Sequence, residues 1–455
     1  MKTKTLLLAL MAIVTFSTMG CKKEDDKNND VTPVEKSNIV ELAQDNGFNS
    51  LATALTITNL LDDLQGDGPF TVFAPTDEAF AALLAEIGQS DINNVPVDVL
   101  EQILLYHVVP SSVMSTQIAD GKVATLQGEE LTLSTMDGIK INNVSVVMPY
   151  DVEASNGVIH TVNQVLVPAS VGQFVNTILE PAYFNNNYSK LVSAVVKANL
   201  TNTLLEAESL TIFAPNNFAF DAAGINPEAV DAQTLTAVLT YHVIATKVMS
   251  SEIPQEAVTV NGNKLHFSLV SAGNFINGNT EITAVDIEAG TGVVHLIDKV
   301  LLPPNGNIVE TTIGLSGDGE FTSLIAALQR TANEGRPDQN LLTVLSADGP
   351  YTVFAPTNAA FQALLDSNEQ WTSLNDIPLE TLIAVLTYHV VPARAYDKDL
   401  SSVLDENGQL PTALGQNITI DLGNLTINQT SEIVGVNTNT TNGVIHVING
   451  VLLPN

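Results

Sequence analysis

Read for apolar and polar positions, the 455-residue chain shows a few short patterns that recur in a fixed order. The first is a β-prone run at residues 70–74, stopped by Ala-Pro. Pro75 lacks the amide that a central strand needs, so the strand is expected to end there. Thr76 and Asp77 then offer side-chain oxygens to the free amides of a helix start. Phe80, Leu83, Leu84 and Ile87 follow at i, i+3, i+4 and i+7, one apolar face of a helix over about residues 77–87. A second helix is expected after Pro96, which suits a first turn. It carries Val99, Leu100, Ile103 and Leu104 on one face and leads into Tyr106-His107. Beyond His107 the pattern changes to short β-prone runs at 122–126, 131–136 and 144–148, separated by Gly, Asn and Asp. A closing run from Gly157 is apolar on both faces, the mark of a buried strand. Helices first and strands afterwards make an α+β unit, not a doubly wound sheet.

The whole pattern occurs three times. TVFAPTDEAF at 71–80 returns as TIFAPNNFAF at 211–220 and TVFAPTNAAF at 352–361. The capping positions become Asn216 and Asn217, then Thr357 and Asn358. Tyr106-His107 returns as Tyr241-His242 and Tyr388-His389. GVIHTVNQVLVP from Gly157 returns as GVVHLIDKVLLP from Gly292 and GVIHVINGVLLP from Gly443. Pro75, Pro215 and Pro356 lie 140 and 141 residues apart, and the two histidines of each unit lie 53, 53 and 57 apart. A period near 140 residues marks an array of domains, not a solenoid. Two departures stand out in the second unit: Ala245 replaces Pro110 and Pro392, and the loop after Pro215 is shorter.

Together these blocks resemble the fasciclin domain over residues 34–455. The resemblance implies an α+β unit in which a wedge of two small sheets packs beside several helices. It also implies an extracellular setting and a role in adhesion or matrix contact. The boundaries read as 37–168, 169–303 and 304–455. The short joins at 168–172 and 303–307 imply neighbours held at nearly fixed angles.

Six of the seven histidines fall in the repeated blocks, and only His266 lies outside. His160, His295 and His446 sit in the closing run, so they are expected to be buried and hydrogen-bonded. No clustered Cys, Asp or Glu at ligand spacing accompanies them, so no metal is assigned. His107, His242 and His389 leave two readings open. They bond the capping residues Asp77, Asn217 and Asn358 and lock helix to sheet, or they present a recognition surface, as the resemblance implies for animal relatives. No nucleophile elbow, phosphate loop or dinucleotide fingerprint occurs. No catalytic residue or cofactor is assigned, and the chain is not read as an enzyme. Asp62, Asp63 and Asp67 miss the ligand register of a calcium loop. Trp371, the only tryptophan, is either an exposed contact residue or a half-buried anchor.

Charge and the N-terminus narrow the setting. The net charge is -33, and no Lys or Arg occurs between Lys36 and Lys122. Such a chain repels nucleic acid and anionic headgroups. Residues 1–20 read as a signal peptide: Lys2 and Lys4, an apolar run at 6–16, then Gly20 before the lone Cys21. That arrangement resembles a bacterial lipobox, which implies diacylation of Cys21, although Thr18 stands where Leu is usual. Residues 21–36 read as the acylated cysteine and a polar tether too poor in apolar residues to fold. The run after Cys21 resembles the export signals of surface lipoproteins in Bacteroidetes. The expected protein is an outer-membrane lipoprotein at the cell surface, anchored through Cys21 and binding an extracellular protein or polysaccharide. A periplasm-facing structural lipoprotein without external ligand is the alternative.

Overall fold

The structure, a computed structural model, describes residues 36–317 and 319–454. The signal segment, Cys21 and the tether up to residue 35 lie outside them. Within the described residues no helix is long and apolar enough to cross a membrane.

Each unit begins with short helices, in the first Ile39–Asp45, Asn49–Ile57 and Leu61–Gln65. The opening strand Phe70–Pro75 follows. Thr76 caps the next helix, Asp77–Glu86, by accepting from the Ala79 amide at 3.2 Å. Asn216 and Thr357 cap the corresponding helices in the other units. The helix Val97–Tyr106 buries Val99, Leu100, Ile103 and Leu104, the face read from the sequence. The last strands are Gly121–Ala124, Glu130–Ser134, Lys140–Ile141, Val144–Ala154 and the closing Gly157–Val162.

Seven strands form one ladder per unit. The opening strand lies between the closing strand, to which it is parallel, and the short antiparallel strand Val108–Val109. Pro75 is therefore the last residue of the strand rather than a stop before its end, a correction to the sequence reading. It pairs with Val162, beyond the reach of Val108–Val109, which partners only Thr71 and Val72, so the missing amide disrupts no ladder bond. A register shift within Val144–Ala154 divides the ladder. Val144 and Ser145 pair with Lys140–Ile141, and the closing strand is met on both sides of the shift, by Val146 and Val147 before it and by Val152, Glu153 and Ala154 after it. Phe73, Val109 and Val162 from one side pack with Leu131, Ile141 and Val144 from the other. The two sheets expected for the fold are thus two halves of one ladder closed over a small core.

The other face of the opening strand meets the helices. Val72 and Ala74 join a core with Ile39, Leu51, Leu55 and Leu100. The backbones of the closing and opening strands approach closely at the first residue of the closing strand. A Cβ on Gly157 would stand 2.1 Å from the Phe70 carbonyl oxygen; at Gly443 it would stand 2.3 Å from that of Tyr351. Only glycine permits this approach, which accounts for the glycine that opens each third block.

The joins differ. Between the first two units, Glu129 accepts from the Ala169 and Ser170 amides at 2.8 and 3.1 Å. Their helix-side cores run together through Val171 and Phe174. The third unit has a separate helix-side core. Trp371 packs half-buried against that core, which settles its two readings in favour of the anchor.

Candidate functional site

The repeated Tyr-His pair sits where helix Val97–Tyr106 hands over to the sheet. All three pairs are buried. His107 Nδ1 donates to the Ile103 carbonyl at 2.7 Å, one turn back, and Nε2 accepts from the Leu166 amide at 2.8 Å. His242 does the same with Val238 and Leu301, and His389 with Val385 and Leu452. Both ring nitrogens are used, and the pattern fixes the neutral tautomer with its proton on Nδ1. Burial opposes the charged form and pushes each of these histidines down to about 4, against the support of its helix carbonyl. The imidazole thus pins the end of the helix to the segment that leaves the closing strand.

This overturns the expected bond to the capping residue. Asp77 instead accepts from the Ser50 amide and the Asn49 side chain, at 2.8 and 3.0 Å, capping the earlier helix Asn49–Ile57. Asn217 and Asn358 accept from the Lys190 and Ser323 amides in the same way. It also removes these histidines from any exposed recognition surface, since no more than 2% of each is accessible.

The closing-strand histidines are fully buried. His160 Nε2 donates to the Val113 carbonyl at 2.8 Å, and Nδ1 accepts from the Asp151 amide at 3.3 Å. His295 and His446 repeat this with Val248 and Asp286, and with Ala395 and Asn437. The Asp151 carboxylate is 3.7 Å from His160 Nδ1, but that nitrogen accepts its hydrogen bond from the Asp151 backbone amide. Ser115 donates its hydroxyl and amide to Asp151. Burial raises the Asp151 pKa, yet the Ser115 bonds outweigh it and the net shift is downward. Ser, Asp and His are therefore close together, but the serine serves the aspartate and the histidine serves a carbonyl. The base facing the serine hydroxyl is the Asp151 carboxylate and not the imidazole, so the Ser-His-Asp order in which histidine takes the serine proton is not formed. The described residues contain no group of three or more His, Cys, Asp or Glu placed to hold a metal. Asp62 and Asp63 lie in the first turn of a short helix.

The Fasciclin domain family model matches residues 46–168, 186–303 and 319–454. This chain belongs to the fasciclin domain family. It is 30% identical over 414 residues to "Transforming growth factor-beta-induced protein ig-h3" of Sus scrofa, covering 90% of this chain and 56% of that protein. It is 26% identical over 426 residues to "Periostin" of Homo sapiens, covering 90% and 46%. One domain length is 46% identical over 132 residues to "Protein sll1483" of Synechocystis sp., covering 29% of this chain and 73% of that protein. The chain thus spans about half the length of the animal relatives it matches. Among solved structures it is similar to a FAS1 domain pair from the insect cell adhesion molecule fasciclin I, at 19% identity and TM-score 0.29, covering 59% of this chain and 97% of that one.

Within the three fasciclin domains, one further set of residues escaped the sequence reading. The Tyr106 hydroxyl donates to the Glu130 carbonyl and accepts from Asn142 Nδ2 at 2.7 Å. Tyr241 with Asn277 and Tyr388 with Asn428 repeat this. All three asparagines have positive φ, 47° to 50°, which asparagine tolerates better than most residues. An Ile-Asn dipeptide 36, 36 and 40 residues after each tyrosine was the available signal.

In the second domain this corner is covered by the third. Asn439 bridges the Tyr396 and Tyr241 hydroxyls, and Asn437 donates to Asn279 at 2.9 Å. Lys398 lies over the Phe275 ring, 5.5 Å from its centre. The ring of His266, the histidine outside the repeats, lies tilted against that of Tyr396 with centres 6.0 Å apart, and it contacts Glu256 at 3.0 Å. Burial and then the Arg394 charge push His266 down to about 4, so at neutral pH a neutral ring donates a hydrogen bond from Nδ1 to the Glu256 carboxylate. Arg394 and Tyr396 stand where the second domain has Lys247 and Met249 and the first has Ser112 and Met114.

Proposed function

We propose that this chain is a surface-displayed adhesion module, anchored through acylated Cys21, whose fasciclin domains bind an extracellular protein or polysaccharide. The observation that carries this reading is the internal use of the repeated chemistry. The six histidines and three tyrosines of the repeated blocks are buried and bonded to groups of their own domains. They define a scaffold, and recognition is left to the exposed loops around it. Family membership supports the adhesion class, as an argument from analogy. Charge supports the choice of partner: a net -33 disfavours nucleic acid. Catalysis has no support in the wiring of the Ser-Asp-His groups.

Several copies of a weak site on one chain gain strength by linkage. Beads coated with the full chain should therefore hold a matrix-protein or glycan surface more strongly than beads carrying residues 37–303. A Gly/Ser insert at 303–307 should weaken the full chain toward the shorter one. Equal attachment by all three would refute linkage and leave one dedicated site. Protease treatment of intact cells tests the placement: protection until the envelope is opened would favour the periplasm-facing alternative.

A further inference from the structure

The second domain contains an apolar pocket of about 110 Å³ between its early helices and the opening strand. Leu191, Val195, Leu204, Leu210 and Ile212 form much of its wall, and Ala207, Thr240 and the half-exposed Val260 also line it. The sequence gives a reason for the space. Leu210 stands immediately before the opening strand, where the first domain has Phe70 and the third has Tyr351. The adjacent strand pair Ile212 and Val294 carries the same side chains as Val72 and Ile159 in exchanged places, so that pair loses no volume. What the second domain lacks is the ring at 210.

Two of the three polar side chains along the wall are already engaged, and the third, Thr203, is exposed. His242 uses both ring nitrogens, at 2.8 and 2.9 Å, and Thr240 donates to the Thr236 carbonyl at 2.6 Å. A polar group placed deep in this pocket would lose water and find no partner there. The exposed Glu206 and Glu208 flank Ala207 and oppose a carboxylate at that side. An enclosed apolar cavity of roughly 150 Å³ admits benzene, so at about 110 Å³ this pocket sets a single ring as its upper limit.

We propose that this pocket is a binding site for a small, neutral, apolar molecule no larger than a single six-membered ring. The site belongs to the second domain alone and is independent of the adhesion surfaces. The test is titration calorimetry on the full chain with benzene, phenol and hexanoate as probes. Saturable binding of one benzene is expected, with phenol and hexanoate at least about tenfold weaker, because their polar groups find no partner. Leu210→Phe restores the residue that the first domain carries and should cut benzene affinity at least about tenfold without lowering the unfolding temperature. Absence of saturable benzene binding, equal affinity for benzene and phenol, or unchanged affinity in a folded Leu210→Phe chain would each overturn the proposal. The comparison of benzene with phenol needs no variant, so the result stands even if Leu210→Phe does not fold.

Discussion

Mild acid should unfold the third domain through its buried histidines, and the effect has a calculable size. His389 titrates near 6.5 in an unfolded chain and is pushed down to about 4 in the fold. Between those values the unfolded chain binds the proton and the folded one does not. Stability from this group is complete above about pH 6.5 and is lost as pH falls toward 4. From pH 7 to pH 5 the loss is about 2 kcal/mol for His389 alone. His446 is shifted downward too, by burial first, and adds in the same direction. Asp399 opposes them, since burial raises its pKa and its protonation relieves the folded state. Trp371 makes the measurement specific: it is the only tryptophan and packs on the third domain's core. Urea unfolding followed by its fluorescence at pH 7, 6 and 5 should show the decline. His389→Gln removes one titrating group, so its slope should be shallower by most of that 2 kcal/mol. A stability that stays level from pH 7 to pH 5, or an unchanged slope in His389→Gln, would refute the argument.

Three other outcomes follow from the same structure. Gly443→Ala forces a Cβ to within 2.3 Å of the Tyr351 carbonyl oxygen, and should cost the third domain about 2–3 kcal/mol in the same fluorescence assay. Asn279→Ala, made in the second domain, removes the acceptor of Asn437 and should lower the stability reported by Trp371 by about 1 kcal/mol, a transfer that independent domains would not show. Cys21→Ser should move the protein from the membrane fraction to the soluble one and abolish uptake of labelled fatty acid; a parent chain that never takes up label would end the lipoprotein reading.

The parts of the fold that were legible in the sequence are those set by local chemistry. Thr76, Asn216 and Thr357 cap helices because a short side-chain oxygen beside an apolar period can do little else, and the structure has them capping. The closing strand reads as buried because it is apolar on both faces, and it is. The histidine partners were not legible. His107 meets the amide of Leu166, 59 residues on, and no spacing rule connects an imidazole to a backbone group at that distance. Asp77 was assigned to its own helix, yet it caps one that ends twenty residues earlier, a contact made only when the helices pack. Asn142 was legible in principle, through its recurrence after each tyrosine, but a lone asparagine in a loop looks like any turn residue until its hydroxyl partner is in place.

Divergence among the three copies follows from the same distinction. The Tyr-His pair and the closing His recur because each satisfies buried groups inside its own domain, and the closing Gly recurs because a Cβ there would run into the opening strand. One set of residues that varies lies where the second and third domains meet. Ser115 donates to Asp151 and Ser250 to Asp286, whereas in the third domain the acid and its partner exchange places as Asp397 and Asn437. The bond between the two positions survives the exchange. What changes is the chemistry turned outward: Asn437 has an amide, and that amide also reaches Asn279 of the second domain. A carboxylate at 437 has no proton to give there. The exchange therefore keeps the domain intact while creating a donor for its neighbour. The first two domains solve their join differently, through a shared apolar core. The array is best treated as a fused pair with a third domain docked by polar contacts, and cutting between the first and second domains would expose core, while cutting at 303–307 would expose mainly polar surface.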